Sequence, residues 1–238
     1  MQINSPPIQL YLLFLYLTVI CYSPVQAQDD PVDNYLQRVG YYADIYNGRL
    51  EVIYNRLYYE NLPYYMNADY TEASIIYRNN YYPNQKARLD LYKEQLIVLA
   101  PEKQYGIILD SPNVSKVYMY NKTFVWLVPP KESGLKNGYY IQLLAGNQLQ
   151  LFCKENYLVQ PKDATYCFYP KTQHYLLCNQ RFYSVKNKTS FFKIVPQYKK
   201  QINKFSRDSK LDFKHNKDKS LTDLAEYCEG LLNLEDKQ

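Results

Sequence analysis

Residues 71–185 break into short segments of strand periodicity joined by tight polar turns, with no helical pattern among them. Ala87, Leu89 and Leu91 alternate with Arg88, Asp90 and Tyr92. A period of two sends successive side chains to opposite faces of a sheet. Segments 73–77, 95–100, 105–109, 116–120, 123–128, 139–144, 148–154, 165–169, 174–178 and 181–185 read the same way. Together they predict about eleven strands. Turns are expected at Asn79-Asn80, Asn121-Lys122 and Ala145-Gly146-Asn147. Such short links favour antiparallel neighbours, because a parallel pair needs a crossover of roughly a dozen residues or more. The expected fold is therefore mainly β: an antiparallel meander, a sandwich or a partly closed barrel.

The flanks read differently. Asp30-Pro31 fits an N-cap followed by proline in the first turn, and Val32, Leu36, Val39 and Ala43 follow at helical spacing. This predicts a short N-terminal helix stopping at Asn47-Gly48. Segment 51–67 is rich in tyrosine and fits either strand or loop. Near the other end, Thr189 or Ser190 can cap a helix with Phe192, Val195, Tyr198, Ile202 and Phe205 along one side. Pro196 must kink it or start a new turn. A last helix is expected from Ser220, with Leu221, Leu224, Ala225, Cys228 and Leu231 as its apolar stripe. Both C-terminal helices need to bury that stripe against the β body. The chain thus divides into a leader (1–27), an N-terminal helix with a tyrosine-rich stretch (28–70), the β body (71–185) and a helical tail (186–238).

The leader reads as a processing signal. No charged side chain precedes Asp29, residues 10–20 are largely apolar, and Val25-Gln26-Ala27 ends on a small residue. This pattern predicts a secretory signal peptide cut after Ala27. The apolar run is too short to span a hydrocarbon core of about 30 Å, and Pro24 interrupts its extension, so no transmembrane span is expected in the mature chain. Export places the protein in a periplasm, on a cell surface or outside the cell. It also permits disulfides among Cys153, Cys167, Cys178 and Cys228. Cys167 with Cys178 would close a short loop, whereas Cys153, alternating with Leu149 and Leu151, also reads as a buried free thiol.

Net charge is +5, yet residues 186–219 hold eleven basic and three acidic side chains, so the rest of the chain is net acidic. Lys199, Lys200, Lys204, Arg207 and Lys210 form a basic patch with Tyr198 and Phe205 among them. Phosphate contacts want such charge, but those aromatics fall on the apolar stripe, and export removes nucleic acid as a partner.

The succession Ile45-Tyr46-Asn47-Gly48, Leu62-Pro63-Tyr64-Tyr65, Ile75-Ile76-Tyr77, Tyr81-Tyr82, Leu89-Asp90-Leu91-Tyr92, Leu96-Ile97-Val98-Leu99 and Arg181-Phe182-Tyr183-Ser184-Val185, followed by the basic tail, resembles uncharacterised exported proteins of Bacteroidota. The resemblance implies export and a β-rich body, and it supplies no reaction.

The residues themselves offer little catalysis. Nucleophilic chemistry needs a base beside its nucleophile, and the chain has two histidines, His174 and His215. Neither Gly-x-Ser-x-Gly nor His-Glu-x-x-His occurs. Two histidines and no tight cysteine cluster argue against a zinc finger or a histidine-rich metal centre, and Asp208, Asp212 and Asp218 lack calcium-loop spacing. No cofactor is expected. Asp90 and Asp110 are the candidate carboxylate pair for a glycan-acting hydrolase.

Tyrosine stands out, with 29 residues. Its ring offers an apolar face and its hydroxyl a polar edge, which suits contact surfaces as well as half-buried sheet positions. Tyr58, Tyr59, Tyr64 and Tyr65 are the expected binding surface, for carbohydrate, peptide or another envelope protein. The sequence-level function is an exported, non-enzymatic binding or structural module, with the hydrolase as its alternative.

Overall fold

The computed structural model describes residues 39–40, 43–101 and 105–235. Within them eleven strands form one antiparallel sheet. They are β1 (Arg49–Leu50), β2 (Thr71–Tyr77), β3 (Asn80–Asp90), β4 (Gln95–Leu99), β5 (Gly106–Ile108), β6 (Val114–Met119), β7 (Lys122–Leu127), β8 (Gly138–Ala145), β9 (Leu149–Lys162), β10 (Thr165–Cys178) and β11 (Arg181–Val185). Their lateral order is β1-β5-β4-β3-β2-β6-β7-β8-β9-β10-β11. Two meanders, β2–β5 and β6–β11, therefore meet where β6 pairs with β2, and β1 adds itself outside β5. The sheet is open, with β1 and β11 at its edges, so the meander expectation holds and barrel closure does not occur.

Three links are two-residue hairpins with both central residues left-handed: Arg78-Asn79 (φ 49° and 64°), Tyr120-Asn121 (50° and 55°) and Asn179-Gln180 (48° and 62°). This conformation matches the right-handed twist of paired strands, and asparagine tolerates it better than most residues. Two of these turns lie one residue earlier than the sequence signals suggest.

The expected strands 165–169 and 174–178 are one strand. β10 runs through Pro170, which sits opposite Tyr157 of a correspondingly long β9. This corrects the Cys167–Cys178 disulfide. Eleven positions along a strand separate two residues by about 36 Å, far beyond the ~7 Å limit between bridged Cα atoms. Cys153, Cys167, Cys178 and Cys228 are all free thiols.

One core lies against β2–β9, built from Ile75, Tyr77, Leu89, Leu96, Val98, Val117, Phe124, Tyr139 and Ile141. A second lies between β9–β11 and the C-terminal helices. The expected helix from Thr189 is two: α1 (Lys188–Ile194) and α2 (Lys199–Asp208), separated by a 3-10 turn that Pro196 begins. The cap of α1 is Asn187, whose side chain accepts the Thr189 N–H. α3 (Lys217–Glu235) starts nearly one turn before Ser220. Its Leu221, Leu224, Ala225 and Cys228 are fully buried against Leu149, Leu151 and Leu176, as its stripe implies. Each of the two leucines contributes roughly 1.5–3 kcal/mol by leaving water, and Ala225 less. Glu229 completes the docking: its carboxylate accepts the N–H groups of Asn147, Gln148 and Leu149 in the β8–β9 turn at 2.6–3.2 Å.

The leader and most of the expected N-terminal helix lie outside the described residues. Of that helix's expected apolar positions, Ala43 is buried ahead of a 3-10 turn at Asp44–Tyr46. Segment 51–67 is irregular, and it is anchored by Glu51. Both oxygens of Glu51 accept from Arg88 (2.6 and 2.7 Å), Tyr64 Oη donates to one and Tyr70 Oη to the other. The Arg88 guanidinium lies between the Tyr64 and Tyr70 rings, 4.4 and 4.3 Å from their centres. Every charge in this buried group is paired, which is what burial demands of it. Among the described residues no helix is long and apolar enough to cross a membrane.

Candidate functional site

The long β9–β10 hairpin carries different chemistry on its two faces. Counting outward from its turn, Lys154 lies opposite Gln173 and Cys153 opposite His174. Alternation sends the first pair to one face and the second pair to the other.

On the first face is a cleft of about 360 Å³. Lys154 and Glu94 lie in it, beside Tyr92, Tyr140 and Tyr175, and Lys136, Asn137, Asn156, Lys171 and Gln173 contribute the rest of its polar lining. Lys154 Nζ is 2.6 Å from Glu94 Oε1 and donates to the Tyr139 carbonyl at 2.8 Å. Glu94 Oε2 accepts the Tyr139 N–H at 2.7 Å. The ammonium also lies 4.7 Å from the centre of the Tyr140 ring. Loss of water pushes the Glu94 carboxyl up and the Lys154 ammonium down, and their mutual attraction opposes both shifts. A side chain at Gly138 would run into both groups, its Cβ falling 2.6 Å from Lys154 Nζ. Glycine is what lets β8 pass over the pair.

The polar rim of the cleft differs from its base. Lys136, Asn137 and Lys171 are exposed and Asn156 and Gln173 half-buried. Their side-chain nitrogen and oxygen atoms make no hydrogen bond or ion pair among the described residues. Tyr92 is exposed and edges onto Phe168, and Tyr175 is half-buried, so two rings border the opening, while alternation sends the Tyr157 ring to the Cys153 face, edge-on to Phe168.

The residues expected to bind lie elsewhere. Tyr64 and Tyr65 are buried, Tyr64 against Arg88 and Tyr65 edge-on to Phe124 at 4.8 Å. Tyr59 stacks on Phe168 at 5.3 Å, leaving Tyr58 exposed. This corrects the Tyr58–Tyr65 surface: segment 51–67 fills the space between β4–β5 and the tip of the β9–β10 hairpin, so Tyr59, Tyr64 and Tyr65 serve as packing and only Tyr58 of the four faces solvent. The basic side chains Lys199, Lys200, Lys204, Arg207 and Lys210 are all exposed, while Tyr198 is buried and Phe205 stacks on Tyr227 at 4.2 Å. The carboxylate pair is corrected as well. Asp90 is buried and saturated, accepting from Tyr54 Oη and from the N–H groups of Tyr92 and Lys93. Asp110 is exposed and paired with Asn113, and neither acid lines the cleft.

The second face holds what the sequence did not suggest. Cys153 Sγ, a ring nitrogen of His174 and a carboxylate oxygen of Asp218 all lie within 4.8 Å of one another. Asp218 comes from the first turn of α3, and its Oδ1 is 2.7 Å from His174 Nε2. That bond holds the Asp218 carboxyl below its usual range. The other histidine, His215, is exposed and faces Asp212 at 2.8 Å. The missed signal was register: once β9 and β10 are read as one hairpin, Cys153 must face His174.

No family model matches the chain, and no curated protein or solved structure proves similar to it.

Proposed function

We propose that this chain is a non-enzymatic binding module, exported as its resemblance to Bacteroidota proteins implies, and that its cleft takes an acidic oligosaccharide. The observation that carries this reading is the lining of the cleft opening: tyrosine rings beside amides and lysines that have no partner among the described residues. Sugar rings offer apolar faces for tyrosine to cover and hydroxyls for amides to bond. Lys136 and Lys171 favour a carboxylate-bearing sugar over a neutral one, because Lys154 is already neutralised by Glu94. Catalysis by paired carboxylates is not favoured, since Glu94 is the one acid lining the cleft and is bound to Lys154. Export is supported by the apolar run of residues 10–20 followed by the small-residue site Val25-Gln26-Ala27.

The test is titration calorimetry with an oligosaccharide of uronic acid against a neutral one of equal length. Binding of the acidic sugar, weakened by salt and by Lys171→Ala or Tyr175→Ala, is expected. No binding, or binding that ignores both substitutions, overturns the reading.

A further inference from the structure

We propose that Cys153, His174, Asp218 and Glu155 form a binding site for a zinc-class transition-metal ion that ties α3 to the β9–β10 hairpin. The site lies on the opposite face of β9 from the cleft and is independent of the reading above.

Alternation and register build it. Cys153 and Glu155 project from the same face of β9, His174 faces Cys153 from β10, and α3 lowers Asp218 onto them from above. The donors are one thiol, one imidazole and two carboxylates, a mixture that suits zinc and its neighbours rather than magnesium or calcium. Tetrahedral zinc spaces such donors about 3.4–3.6 Å apart. Sγ, the imidazole nitrogen and the Asp218 oxygen are already gathered within 4.8 Å of one another, whereas Glu155 stands outside that group and its side chain must swing in to supply the fourth donor.

The groups are poorly served without an ion. The His174 side chain is 2% exposed, and its Nδ1 has no hydrogen-bond partner. Orphaned polar atoms of this kind are uncommon in folded proteins and call for a specific cause. The Glu155 carboxylate is half-buried, accepts no hydrogen bond among the described residues, and is pushed up by lost hydration and by the nearby Asp218 charge. Cys153 is fully buried, and burial pushes its thiol well above the usual range. Lys122 and Lys217 offset part of the negative charge, yet neither reaches an ion-pair distance to these carboxylates. A divalent ion balances two carboxylates and converts the thiol to a bound thiolate, and His174 would hold it through one ring nitrogen, either filling the orphaned Nδ1 position or replacing the Asp218 contact at Nε2.

A cysteine-histidine-aspartate nucleophile fits less well. Its sulfur would have to reach a substrate, whereas Cys153 has no exposed surface and the cleft opens on the other face. A reactive cysteine also needs its thiol lowered by its surroundings, and here they raise it. Asp218, about half exposed, leaves an entry path for an ion.

The experiment uses the full chain stripped of metal by a chelator, then titrated with cobalt(II) and zinc(II). The expected results are a thiolate-to-cobalt charge-transfer band with tetrahedral ligand-field absorption, saturation at one equivalent, displacement by zinc, and a higher Tm with zinc bound. Cys153→Ser abolishes the charge-transfer band, and His174→Gln or Asp218→Asn weakens affinity about tenfold or more. Because Cys153 and His174 are core residues, Asp218→Asn, at a half-exposed position, keeps the test open if the others fail to fold. Cys178→Ser, a buried thiol elsewhere on β10, serves as the control and should bind as the parent does. Absence of the band in the parent chain, or its persistence in Cys153→Ser, overturns the proposal, as does undiminished affinity in Asp218→Asn.

Discussion

Lys154 and Glu94 meet at 2.6 Å at the base of the cleft, in a space that Gly138 leaves open. Removing one partner strands the other in a low-dielectric site. Glu94→Gln should therefore cost about 3–5 kcal/mol in denaturant unfolding, because Lys154, 4% exposed, keeps a charge it cannot pair. Lys154→Met should cost less at acid pH, where Glu94 can take a proton. The double variant should recover most of the loss. Equal losses in all three variants would show that packing, not charge, sets the effect.

Asp90 gives a pH dependence with a definite sign. Burial raises its carboxyl above the ordinary value, so the folded chain holds this proton more tightly than the unfolded chain does. The stability it contributes is complete below the unfolded value near 3.8 and is lost as pH rises through the folded value. Asp90→Asn keeps an acceptor for the Tyr92 and Lys93 N–H groups and carries no charge. Its Tm relative to the parent should rise with pH across that window and level off above it. A gap that does not change with pH would contradict the assignment.

Glu229 makes a third test. It accepts from three successive N–H groups of the β8–β9 turn, and a side chain at Gly146 would collide with its carboxylate. Charged acceptors are worth about 1.5–3 kcal/mol each, less where water can replace them. Glu229→Ala should cost about 2 kcal/mol, with the amides of Asn147, Gln148 and Leu149 exchanging faster while those of β2–β5 are unchanged.

The thiols should differ in reactivity. Cys153, Cys178 and Cys228 are buried, and burial pushes the Cys228 thiol up to about 12. Cys167 is partly exposed and donates to Asn61 at 3.4 Å. In the native chain a maleimide should label Cys167 ahead of the other three, and peptide mapping without reductant should find no Cys167–Cys178 link. Such a link would contradict the strand assignment, and early labelling of Cys228 would contradict the docking of α3.

The sheet was legible because its turns carry local chemistry. Asn79, Asn121 and Asn147 mark hairpins that depend on a few adjacent residues, and alternation at Ala87, Leu89 and Leu91 marks one buried face. β10 was not legible as one strand because Pro170 and its polar neighbours look like a turn, although they sit in a hairpin arm whose residues 169–172 are solvent-facing. That break hid the pairing of Cys153 with His174 and suggested a disulfide instead. The tyrosine doublets misled for a different reason. Burial of Tyr64 and Tyr65 depends on Arg88 and Phe124, which are distant in sequence, and composition cannot show which side of a ring will be covered. Asp218 joined the cluster because α3 begins at Lys217, and a shift of under one helical turn is beyond what capping signals resolve.

The lateral strand order also fixes a schedule for the growing polypeptide. From β7 to β11 each strand pairs with the one synthesised just before it, so that half can assemble as it emerges. The helix that seals Leu149, Leu151 and Leu176 comes last. A chain interrupted before Leu221 would display those residues as a bare, sticky surface, a signal that proteolytic quality control could read as an unfinished product.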